Sequence, residues 1–149
     1  MTAVQRIVPM IAYEDAGAAI DWLTEAFGFR EQREQRYTAE DGTVTHAELE
    51  RDGAIVMLAT PNADYRGPKR HRESCEQARR WQDNPWVVDG LFVVVDDIDA
   101  HHAQAATAGA AVIRPLEDNP QAGLRLYTAE DPEGHRWMFG QRLADDRGV

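Results

Sequence analysis

A single cysteine, Cys75, leaves no internal disulfide to form and no thiolate cluster for a structural metal. No apolar run approaches the roughly 20 residues that span a bilayer, and Met1 to Met10 shows neither the basic nor the apolar region of a secretory signal. The expectation is a cytoplasmic protein with no membrane partner. Basic residues are the minority, 16 Lys and Arg against 26 Asp and Glu, and the formal charge of −10 repels phosphate backbones and anionic lipid. Nucleic acid is therefore not expected as a partner, and the local run Lys69-Arg70-His71-Arg72 reads as a solvated loop or a local anion contact. The one serine, Ser74, stands beside Cys75, far from any candidate triad. A Gly-x-Ser-x-Gly elbow, a glycine-rich phosphate loop and a His-Glu-x-x-His helix are all missing.

What is present is the composition of a globular domain, 43% hydrophobic and 28% charged. At 149 residues, folding buries roughly two thirds of the unfolded surface, enough for a core without staples. The chain repeats itself. Ile7 to Tyr13 reads as a strand, Asp15 as a helix N-cap, Ala19, Ile20, Leu23 and Phe27 as one helical face, and Gly28 as the stop. Leu91 to Val95, Asp97, Ile98 to Ala108 and Gly109 follow the same grammar, with Asp15 and Asp97 82 residues apart and Gly28 and Gly109 81 apart. Strand-like stretches follow, closed by Arg51-Asp52-Gly53-Ala54 in one half and Pro132-Glu133-Gly134-His135 in the other. A period near 80 residues suits duplication of a βαβββ unit. The fold class expected is α+β: one domain over 1–149, with tandem βαβββ modules (about 5–60 and 90–142) forming a curved mixed sheet around a pocket. A connector over about 61–89 carries a helix candidate from Glu73 to Trp81.

An Asp52-Gly53 type I′ turn sets Glu48 opposite Met57 and Leu49 opposite Val56, and gathers Ala47, Leu49, Val56 and Leu58 on one apolar face. His46 and Glu48 then face the cavity with Met57; the alternative is that His46, Glu48 and Glu50 form a solvated strip. In the second half, alternation sends Trp137 and Phe139 toward the helix and Arg136 with Met138 inward.

With these elements placed, Val-Val-Val-Asp-Asp-Ile-Asp at 93–99, Ala-Gly-Ala at 108–110 and Asp-Pro-Glu-Gly-His-Arg-Trp-Met-Phe at 131–139 give the chain a recognisable look. It resembles the vicinal oxygen chelate superfamily of glyoxalases, bleomycin-resistance-type binding proteins, fosfomycin-resistance enzymes and extradiol dioxygenases, from about Ile7 to Gln141. The resemblance implies that metal-using members take His, Gln or Glu ligands from the first and last strand of each repeat. The matching positions here are Val8, Met57, Gly90 and Met138, and none suits a hard or borderline divalent cation. No metal site and no cofactor are expected. A displaced site built from His46 and Glu48 with His135 or His101 is the alternative; otherwise His101 and His102 read as surface residues.

Two functions follow. The first is a metal-independent small-molecule binder of the bleomycin-resistance type, with ligand residues His46, Glu48, Met57, Arg125, Tyr127, Arg136 and Met138. Trp22, Trp81, Trp86 and Trp137 offer stacking surface. The second is a glyoxalase-like lyase or isomerase using Glu48 and His46 as an acid–base pair. The resemblance also implies a homodimer.

Overall fold

The computed structural model describes residues 4–84 and 89–144. The first module runs β1 (Met10–Ala12), α1 (Ala16–Phe27), β2 (Arg30–Glu31), β3 (Tyr37–Thr38), β4 (Val44–Arg51) and β5 (Ala54–Ala59). A connector holds α2 (Pro68–Ser74) and α3 (Glu76–Arg80), and the second module runs β6 (Leu91–Val94), α4 (Ile98–Thr107), β7 (Ala111–Asn119), β8 (Leu124–Glu130) and β9 (Arg136–Arg142). Each module forms its own curved mixed sheet. The orders are β1-β5-β4-β2, with β3 also on β4, and β6-β9-β8-β7. In both, the first strand lies parallel to the last, as a βαβββ unit requires. Among the described residues no helix is long and apolar enough to cross a membrane.

The caps explain the helix limits. The carboxylates of Asp15 and Asp97 accept from the backbone N–H groups of Ala18 and Ala100, each at 3.1 Å, filling orphan donors of the first turn. Gly28, at φ 77°, ends α1 in the left-handed region. Asp52 at φ 51° and Gly53 at φ 85° form the two-residue turn between Arg51 and Ala54, and Glu48 pairs with Met57 and Leu49 with Val56. The connector differs from its single expected helix. Pro68 starts α2 early, and Cys75, in extended backbone, stops it and caps α3, its Sγ 3.5 Å from the Ala78 N–H. Lys69 to Arg72 belong to α2, with Arg70 on Glu14 and Arg72 on Glu130.

One core serves both modules. Ala47, Leu49 and Leu58 of the first sheet and Tyr127, Ala129, Trp137 and Phe139 of the second enclose α1 and α4. The Phe27 ring of α1 lies 4.6 Å from Phe139 and 5.7 Å from Trp137, centroid to centroid. A buried ring of this size contributes about 1.5–3 kcal/mol by transfer alone.

Two buried histidines tie the modules together. His101, expected at the surface, is 5% exposed: its Nε2 donates to the Phe27 carbonyl at 3.0 Å and its Nδ1 accepts from the Tyr127 hydroxyl at 2.7 Å. Burial pushes its pKa below the ordinary value, and Arg51 and His102 add to the shift. His135 sits 2.7 Å from both Asp89 Oδ2 and the Ala12 carbonyl. Both partners only accept, so the ring carries both protons. Burial opposes that charge, but the Asp89 hydrogen bond and the Asp131 and Asp89 carboxylates hold the pKa above its ordinary value. Tyr13 meets the same ring edge-on at 4.7 Å and donates to Asp131 at 2.7 Å.

The two histidines act in opposite senses. The raised pKa of His135 gives stability that is complete below about pH 6.5 and is lost as pH rises through its folded value. The lowered pKa of His101 gives stability present above about pH 6.5 and lost as pH falls toward its folded value. In urea denaturation between about pH 5 and 8, His135→Gln should gain stability with rising pH and His101→Gln should lose it. Identical profiles in the parent and both variants would contradict this assignment.

Candidate functional site

Strand alternation divides each sheet into a helix-packed face and an open one. On the first sheet the open face holds His46, Glu48, Glu50 and Met57, with Met10 beside Met57 across the parallel β1–β5 pair. His46 Nε2 lies 3.6 Å from Glu48 Oε1, and the Tyr37 ring is 5.7 Å from the imidazole. The expected partition of β4 and β5 is thus the observed one: Ala47, Leu49, Val56 and Leu58 are buried while His46, Glu48 and Met57 stay half-exposed.

On the second sheet the open face holds Phe92, Thr128, Glu130, Arg136 and Met138, with Phe92 and Thr128 both paired to Met138. Arg136 is buried there because the connector covers it. It binds Glu130 at 3.0 Å and the Gln82 carbonyl at 2.7 Å, and Arg72 grips Glu130 with two bonds of 2.8 and 2.9 Å. Burial pushes the Glu130 pKa up, but the two guanidiniums outweigh it and hold the carboxyl below its ordinary value. This triad clamps α2 to the end of β8.

Arg125 and Tyr127, expected beside the cavity, lie on the opposite, helix-packed face. Tyr127 is fully buried with its hydroxyl on His101, and Arg125 pairs with Asp99 of α4 and with Asp118. The reason is register. The repeat offset of 81 aligns Tyr127 with His46, but the β8–β9 loop spans 131–135, whereas only 52–53 separate β4 from β5. Thr128 therefore matches Glu48, and Tyr127 matches the buried Ala47. A one-residue slip exchanges the faces.

A cavity of about 390 Å³ lies on the seam between the modules, lined by Phe92 and Val94 of the open face together with Ile7, Ile55 and the core residues Val56 and Trp137. None of the seven expected ligand residues lines it. Phe92 escaped sequence reasoning, although Gly140 carried a signal for it: a Cβ there would stand 2.7 Å from the Phe92 ring, so the bare strand is what lets the ring lie flat. Met10, Phe92 and Val94 are exposed on these faces. Trp137 is core, and Trp86 lies outside the described residues.

The chemistry of the open faces does not fit a divalent metal. Met57 and Met138 present thioethers, Val8 and Gly90 present no donor, and His101 and His135 have both ring nitrogens engaged elsewhere. Among the described residues no three His, Cys, Asp or Glu side chains gather closely enough to hold an ion.

The sequence pattern of the Glyoxalase/Bleomycin resistance protein/Dioxygenase superfamily matches residues 4–139. The chain belongs to this superfamily. Its relatives include the protein Rv0887c of Mycobacterium tuberculosis (strain ATCC 25618 / H37Rv), 32% identical over 92% of this chain and 74% of that protein. The crystal structure of TioX from Micromonospora sp. ML1 matches with a TM-score of 0.68 and 32% identity, over 94% of this chain and 100% of TioX. TnmS3, an antibiotic binding protein from Streptomyces sp. CB03234, shares the superfamily fold at a TM-score of 0.57 and 19% identity, over 95% of this chain and 99% of TnmS3.

The placement of Tyr127 has a direct consequence. Tyr127→Phe leaves His101 Nδ1 without its donor in a buried site, and should cost about 1–3 kcal/mol in denaturant unfolding while leaving small-molecule binding unchanged. Lost binding at full stability would return Tyr127 to the ligand surface.

Proposed function

We propose that this superfamily member is a metal-independent small-molecule binding protein whose ligand rests on the open sheet faces, against Met57, Met138, Met10 and Phe92, with His46 and Glu48 as polar groups. One observation carries the reading: the positions from which metal-using members draw ligands hold Val8, Met57, Gly90 and Met138. Thioether and aromatic surface of this kind adapts to flat apolar molecules. TnmS3, with the same fold, is an antibiotic binding protein, which supports a drug-like, partly aromatic ligand. Glu48 and the acidic balance of the chain favour a cationic substituent. The reading includes a cytoplasmic location and a homodimer, the latter because Val94 (52% exposed) leaves apolar surface to water beside the ligand face.

A second reading keeps one observation in its favour. His46 Nε2 and Glu48 Oε1 stand 3.6 Å apart on an open face, beyond hydrogen-bond distance but near enough to act on one substrate, as a glyoxalase-like lyase or isomerase would require.

A panel of aromatic antibiotics screened by thermal shift separates them. The binding reading expects a stabilising compound whose affinity survives dialysis against EDTA and falls at least about tenfold, roughly 1.4 kcal/mol, in Met57→Arg or Met138→Arg. Binding or turnover that disappears with the chelator and returns with a divalent metal would contradict it. Turnover abolished by Glu48→Gln would establish the enzyme reading instead.

A further inference from the structure

Apart from the open sheet faces, a second pocket of about 280 Å³ lies where α1 meets the β8–β9 turn. Ala18, Ala19, Trp22 and Leu23 form its helical wall, and Pro132 and Glu133 the opposite one. Tyr13 and Asp131 close the floor. Its walls come from both modules, and the seam is held by Glu133, whose carboxylate accepts from the backbone N–H groups of Glu14 at 2.6 Å and Asp15 at 3.1 Å. The pocket is therefore a fixed feature of the packed modules.

Its chemistry is one-sided. The lining is apolar except for the tyrosine and two carboxylates, and no basic side chain lines it. Burial pushes the pKa values of Asp131 and Glu133 up from their ordinary values. Asp131 is saturated by Tyr13, Trp137 and the N–H groups of Glu133 and His135, whereas each Glu133 oxygen keeps a lone pair beyond its single backbone bond. The half-buried indole of Trp22, held edge-on against Phe27 at 4.9 Å, adds a ring face suited to a cation. The volume admits a single ring system with a short substituent.

We propose that this pocket is a second small-molecule site, selective for a compact aromatic ring carrying an ammonium group, with the ring between Trp22 and Pro132 and the ammonium at Glu133. The site is independent of the open sheet faces.

The test is titration of the ¹⁵N-labelled protein with 2-phenylethylamine and with its neutral analogue 2-phenylethanol, following the Trp22 indole N–H. The amine should give a saturable shift with a dissociation constant on the order of 1 mM, and the alcohol should bind at least about tenfold more weakly. Ala18 is exposed at the pocket wall, so Ala18→Leu fills the space without touching the core and should abolish the shift at an unchanged melting temperature. Trp22→Ala, read by calorimetric titration, should also weaken amine binding, while Met57→Arg should leave it intact. No saturable shift, equal binding of amine and alcohol, or full binding by folded Ala18→Leu would overturn the proposal.

Discussion

The ring of Phe27 leaves the first module at the end of α1 and is buried against Trp137 and Phe139 of the second. The backbone carbonyl of Phe27 itself accepts from His101 of α4. Much else follows from that insertion. It commits one face of each sheet to a shared core, so alternation along β4, β5, β8 and β9 turns the other set of strand side chains to the opposite, open faces. It also brings the β8–β9 turn over the start of α1, where Asp131 and Glu133 hold Tyr13 and the N–H groups of Glu14 and Asp15. Removing the ring would cost about 3–5 kcal/mol as a cavity, a large share of the stability of a domain this size.

Much of this was legible in the residues, and the limits of legibility have physical causes. Local chemistry was decisive where it acts alone: Asp15 and Asp97 as caps, Gly28 as a stop, and Asp52-Gly53 as a turn that fixes the β4–β5 register. The second hairpin resembles the first in sequence, but its loop is longer, so Tyr127 and Arg125 fall on the helix side. No pattern of apolar residues could arbitrate, because β8 is buried or half-buried along its whole length. The connector was misjudged because a thiol is a weak cap signal, and the burial of His101 depends on a carbonyl 74 residues away in the chain.

The superfamily's architecture is thus kept while its usual metal positions carry apolar or thioether side chains. The connector adds a second constraint, since the Arg72–Glu130–Arg136 cluster fixes α2 over one end of the second sheet's open face. Such a clamp is rigid because removing either guanidinium leaves buried charge imperfectly paired. The surface proposed for the ligand is accordingly the uncovered part, around Met57, Met138, Met10 and Phe92.

The most direct measurement restores the missing donors. A variant carrying Val8→His, Met57→Glu, Gly90→His and Met138→Glu, titrated calorimetrically with Ni²⁺ beside the parent protein, should gain a stoichiometric site that the parent lacks. Tight Ni²⁺ binding by the parent, or a folded variant that gains none, would contradict the claim that these four positions match the superfamily's metal site and lack the donors to fill it.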